Sequence, residues 1–183
     1  MSIAYTRTAV ALHWIMALLI LATLPLGLIM TEMPLSPQKL QYYSWHKWLG
    51  VTVFGLAVLR LTWRATHPAP PLPASVPAWQ RQAAHALHWA LYALMLAIPL
   101  AGWLMSSAKG VQTVYLGVLP IPDLLSKDEA LGEVLAAVHA WLAYVLIALL
   151  VVHVAAALKH HFIDRDDVLR RMLPRTRSGK ETT

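Results

Sequence analysis

Hydrophobic positions gather in four long stretches, at residues 9–30, 45–63, 84–105 and 134–158. A helix crosses the hydrocarbon core of a bilayer with about 20 apolar residues, and a range of roughly 17–25 is usual. Each stretch meets that length. Lipid offers backbone N–H and C=O groups no partner, so a helix is the expected form of each. The expectation is an all-α fold, an integral membrane four-helix bundle forming a single membrane domain over 1–183. Pro25 and Pro99 fall inside two stretches and predict kinks near helix ends. The first stretch is too long for a signal-peptide core and carries His13 and Trp14, so it is expected to be a retained helix.

The polar segments between the stretches differ in character. Residues 66–77 carry five prolines (Pro68, Pro70, Pro71, Pro73, Pro77) and predict an extended, stiff connector. The longest loop, 106–132, mixes polar and apolar residues and is expected to form a small cap on one membrane face. The segment from Asp164 to Thr183 is polar and basic, and its end is expected to fray.

Charge supplies an orientation. Four spans place both termini on one side. That side holds Arg7, Arg60, Arg64, Arg81, Lys159, Arg165, Arg170, Arg171, Arg175, Arg177 and Lys180. The opposite side holds only Lys39, Lys47, Lys109 and Lys127. The positive-inside rule then puts both termini in the cytoplasm. Tyr and Trp near the ends of the stretches fit an interfacial belt. The net charge of +6 is therefore a topology signal, and no nucleic-acid partner is expected.

Composition also excludes chemistry. The chain is 58% hydrophobic and 13% charged, far from an ordinary soluble enzyme. It has no cysteine, which removes disulfides, thiolate metal sites, Cys-ligated iron–sulfur clusters and covalent haem attachment. It has no H-E-x-x-H and no Gly-rich phosphate loop.

Nine histidines in so apolar a chain need an account. Histidine inside a bilayer is costly unless paired, hydrated or bound. His139 and His153 lie fourteen residues apart in the last stretch, about 21 Å along a helix axis and on nearly the same face. Depth supplies each with a partner: His46, near the start of the second stretch, for His139, and His13, early in the first, for His153. Two imidazoles at each of two depths match two b-type haems stacked across the bilayer, held non-covalently. Bis-histidine ligation leaves iron no open position, so such a centre carries electrons without binding small ligands. Gly27, Gly50, Gly55 and Gly102 would let a flat macrocycle approach; ordinary small-residue helix packing accounts for them equally. His85 and His88 lie at a depth similar to His13, and either is an alternative inner ligand. Together with His160 and His161 they form a polar cluster suited to a quinone head group, or a set of interfacial histidines facing water. His67 is expected on a loop surface.

These pieces resemble the prokaryotic cytochrome b561 family: Ala-Leu-His-Trp at 11–14, Trp-His-Lys-Trp-Leu-Gly at 45–50 and His-Ala-Leu-His-Trp at 85–89. Val-His-Ala-Trp at 138–141, the run from Val152 to Phe162 and the ending at 168–174 extend the likeness. The resemblance implies a di-haem b cytochrome of a bacterial inner membrane, multi-pass, passing electrons between the periplasmic side and the quinone pool. It implies superoxide oxidation to O2 with ubiquinone reduction. His46 and His139 would carry the outer haem, His13 and His153 the inner one, and His88 and His160 would line the quinone site. The alternative is a cytochrome b membrane-anchor subunit that relays electrons between a periplasmic dehydrogenase or hydrogenase and quinone. A third class, a haem-free transporter or proton relay, would use the same membrane histidines. One feature sits awkwardly with superoxide: the outer loops set four lysines against Glu32, Asp123, Asp128, Glu129 and Glu133. Steering an anion favours a positive surface, which here reduces to a local funnel at Lys47 and Lys109.

Overall fold

The computed structural model describes residues 4–73 and 76–173. Arg175, Arg177 and Lys180 of the charge count, and Pro174 at the end of the family-like segment, lie outside the described residues. Four helices form: α1 (Arg7–Glu32), α2 (Pro37–Thr66), α3 (Ala78–Ala108) and α4 (Glu129–Phe162). Each overruns its hydrophobic stretch, because capping and not hydropathy decides where a helix stops. Thr6, Ser36 and Asp128 accept from the backbone N–H groups of Ala9, Lys39 and Leu131, and Pro37 stands at the first turn of α2. Pro25 and Pro99 sit within unbroken helices.

Three helices, α1, α3 and α4, are long and apolar enough to cross a membrane. The exception, α2, carries Lys39, Lys47, Arg60 and Arg64. Large apolar side chains lie open on the bundle exterior, among them Leu18 at 67% and Val151 at 64% exposure. An apolar face of that extent suits a lipid solvent, not water.

Consecutive helices pack side by side. The start of α1 and the end of α4 share what we call the terminal end. There Trp14 Nε1 donates to the Met172 carbonyl at 2.6 Å, Trp63 Nε1 to Thr6 Oγ1 at 3.0 Å, and Arg171 to the Pro71 carbonyl at 2.8 Å. The opposite, hairpin end is covered by the expected cap. Its two short strands, β1 (Val114–Tyr115) and β2 (Leu119–Pro120), pair antiparallel. Trp48 Nε1 donates to the Val114 carbonyl at 2.7 Å and Trp103 Nε1 to that of Pro122 at 2.9 Å. Those bonds fasten the cap to α2 and α3.

The interior is organised in three layers, and each helix contributes to each layer with a seven-residue step. The series are His13, Ile20 and Gly27 on α1; His46, Val53 and Arg60 on α2; His88, Met95 and Gly102 on α3; and His139, Leu146 and His153 on α4. Seven residues are close to two helical turns, so each series stays on one face. The middle layer is apolar: Ile20, Val53 and Leu146 are buried, with Met95 packed against them. The two outer layers hold the polar groups.

Candidate functional site

In the hairpin-end layer the rings of His46 and His139 face each other edge-on, with centroids 6.1 Å apart. Each ring is fixed by a backbone carbonyl of a neighbouring helix. His46 Nδ1 lies 3.2 Å from the Thr23 oxygen, and His139 Nδ1 lies 2.9 Å from that of Ile98. A carbonyl only accepts, so Nδ1 carries the proton in both rings and Nε2 keeps its lone pair. That tautomer is the one a metal-binding histidine uses when its second nitrogen is anchored.

Gly27 and Gly102 make room for these rings. A Cβ on Gly27 would stand 2.8 Å from His46 Cε1, and one on Gly102 would stand 3.1 Å from His139 Cε1. Each glycine follows the accepting carbonyl by four residues, one helical turn. The same device is thus built twice, in α1 for His46 and in α3 for His139. Gly50 and Gly55 differ: a Cβ on either meets nothing within 4 Å.

The terminal-end layer brings three imidazoles together. His153 packs edge-on against His13, with centroids 6.2 Å apart, and against His88 at 5.4 Å. Arg60, fourteen residues after His46 on the same face of α2, is the fourth member. Its Nε donates to the hydroxyl of buried Tyr92 at 3.0 Å.

The remaining histidines divide. His85 accepts from Trp89 Nε1 at 3.0 Å on an exposed surface, its ring edge-on to that of Trp89. His67 caps α2, exposed as expected, and stacks on Trp63. His160 belongs to a separate network beyond the bundle core: its Nδ1 lies 2.6 Å from Asp166 Oδ2, and Asp164 pairs with Lys159 at 2.6 Å. His88 faces His153, whereas His160 faces Asp166, so the two residues expected to line one quinone site have different immediate partners.

A family model described as prokaryotic cytochrome b561 matches residues 4–175. The chain belongs to the prokaryotic cytochrome b561 family. Membrane electron transfer and haem b come with that membership. This cytochrome is 38% identical to cytochrome b561 homolog 2 of Escherichia coli (strain K12), over 95% of this chain and 93% of that one. It is 33% identical to cytochrome b561 homolog 1 of the same organism, over 93% and 97% of the two chains. It is 26% identical to a probable superoxide oxidase of Yersinia pestis, over 94% and 97%.

Sequence reasoning missed Arg60 of the terminal-end layer, the two anchoring carbonyls and the partner of His160. Arg60 was counted as a topology charge, although its fourteen-residue distance from His46 repeats that between His139 and His153. The anchoring carbonyls of Thr23 and Ile98 have no side-chain signature. Asp166 is one acid among several in a polar segment, and only the turn after α4 brings it back to His160.

Proposed function

We propose that the chain spans the inner membrane four times with both termini in the cytoplasm, and that it carries electrons between the periplasmic face and quinone through two haems b. His46 and His139 hold the haem at the hairpin, periplasmic end; His13 and His153 hold the one at the terminal, cytoplasmic end. The observation that carries this reading is the ring spacing at both ends of α4. The imidazole centroids stand 6.2 Å apart in one pair and 6.1 Å in the other, a separation at which one metal ion would fit between two ring nitrogens. The free Nε2 positions of His46 and His139, whose rings sit where Gly27 and Gly102 leave room for them, suit the same group.

Haem iron between two imidazoles supplies one-electron exchange without an open coordination position. The chain's own work is to hold and insulate. Thr23 and Ile98 fix the ring orientations. Ile20, Val53, Met95 and Leu146 keep water from the interval between the two layers. About 21 Å separates His139 from His153 along α4, enough to link the two faces of the bilayer in two stages.

Quinone is assigned to the terminal end, near His88 and His160. Asp166 accepts from His160 Nδ1–H; a proton taken up from water at Nε2 would make an imidazolium whose Nε2–H donates to a quinone oxygen and passes to it on reduction. The electron donor in this reading is superoxide, released as O2. Its support is the name of the Yersinia pestis relative. Purified protein mixed with superoxide and ubiquinone should form ubiquinol; no ubiquinol, together with a co-purifying periplasmic redox subunit, would sink this donor.

One observation favours the second reading, a membrane-anchor subunit fed by a periplasmic enzyme. Lys109, half of the local funnel, is paired with Glu133 at 2.9 Å, and Lys47 donates to the Val111 carbonyl at 3.1 Å. Neither lysine is a bare positive charge facing outward.

A further inference from the structure

Arg60 ends the polar face of α2, and nothing in the electron-transfer reading uses it. Its guanidinium is turned inward: Nε donates to Tyr92 Oη, and the cation lies 5.8 Å from the centroid of the buried Tyr92 ring. Arg64 lies over the same ring at 5.6 Å. The two arginines, Tyr5, Trp63 and Tyr92 line one small cavity at the terminal end. Burial pushes the Tyr5 phenol above its ordinary pKa, so it stays a neutral hydroxyl in that cavity.

A pair of guanidinium groups at the edge of an apolar bundle calls for an anion. Among the described residues no ion pair reaches Arg60 or Arg64. Among the described residues the acids of the same end are already engaged: Asp164 with Lys159, Asp166 with His160 and Asp167 with Arg171. With Nε spent on Tyr92, the Nη donors of Arg60 remain, in the fork that grips a carboxylate.

The layer arrangement says which carboxylate. Arg60 lies on the face of α2 that begins with His46, two seven-residue steps along, in the layer of His13, His88 and His153. A haem held by imidazoles of that layer carries two propionate carboxylates at its rim. We propose that Arg60, steadied by Tyr92 and backed by Arg64, binds a propionate of the terminal-end haem and raises that haem's reduction potential by its positive charge. The proposal rests on the two-haem reading above. A cation beside the macrocycle would favour its electron-rich state, and so the transfer of an electron from the hairpin-end centre onto the terminal-end one.

The test compares full-length wild-type protein with Arg60→Gln and Arg60→Lys, each in nanodiscs of phosphatidylcholine with and without phosphatidylglycerol. Haem content is measured as the pyridine haemochrome, and the two potentials are resolved by spectroelectrochemical titration. His153→Ala and His139→Ala identify which component is which. The expected result is a downward shift, or selective loss, of the component that His153→Ala removes, with the other unmoved and Arg60→Lys intermediate. No shift, or an equal shift in both components, overturns the proposal. A wild-type potential that follows the phosphatidylglycerol content, with that dependence lost in Arg60→Gln, assigns the site to a lipid phosphate and also overturns it. If Arg60→Gln does not accumulate, Tyr92→Phe takes its place. Freeing Nε then shifts the same component, and an unmoved potential counts against the proposal. Two haems in the wild type with no response to Arg60 sink this inference alone, whereas a wild type without haem sinks the reading beneath it.

Discussion

His46 occupies the space that a side chain on Gly27 would need: a Cβ there would lie 2.8 Å from the ring's Cε1. The contact ties a ring of α2 to the backbone of α1, while Thr23 holds the same ring through Nδ1. Gly27→Ala is therefore expected to push the imidazole off its axis. Overpacking of this kind costs about 1–3 kcal/mol. The readout is haem stoichiometry with thermal stability: one haem lost or loosened at the hairpin end, the other retained. Gly102→Ala, acting on His139, should give the same pattern. Gly50→Ala should give no such change, because a Cβ there meets nothing within 4 Å.

The layer pattern shows how much of the site the sequence could reveal. His46, His139, His13 and His153 stand out because imidazoles are rare in apolar stretches, and the fourteen-residue spacing on α4 gives their depth. Helix ends were less legible, since hydropathy senses the apolar interior while caps such as Ser36 and Asp128 set the boundary. His88 entered as one of several inner histidines. Only the packing of α3 on α4 sets it 5.4 Å from His153 and leaves His85 with Trp89 on the surface. Arg60 looked like a topology residue because a charge count ignores helical phase.

Asp166 is expected to act as a positioning residue for His160. Its carboxylate accepts from Nδ1 at 2.6 Å and from the Val168 N–H at 3.0 Å, so both its oxygens are committed. Asp166→Asn should leave both haem spectra unchanged while slowing quinone reduction by roughly tenfold or more, the scale of a misdirected acid–base group. Steady-state kinetics with ubiquinone check it. A loss confined to thermal stability, with turnover intact, would contradict the assignment.

The ion pair of Lys109 with Glu133 bears on the electron donor. It is a surface pair, about 0–1 kcal/mol in stability, so Glu133→Gln should fold normally. Removing the acid frees the lysine charge at the hairpin end. If superoxide is the donor, its second-order rate should rise at low ionic strength and the gain should fade with salt. An unchanged rate at low salt favours a protein donor.

Exchanging ligands one at a time should separate the two centres. His139→Ala is expected to remove the hairpin-end haem and His153→Ala the terminal-end haem, each leaving the partner's spectrum. In the terminal layer, His13→Ala against His88→Ala decides the second ligand. His13 is expected to abolish low-spin bis-histidine features there, while His88→Ala leaves them in place.

In the proposed function one helix, α4, supplies a ligand to each of two haems. The most direct measurement is the reduced-minus-oxidised spectrum with haem quantified per chain, for wild type, His139→Ala, His153→Ala and the double variant. Two haems b are expected in the wild type, one in each single variant and none in the double. A wild type without b-type bands, or single variants that keep both haems, would contradict it.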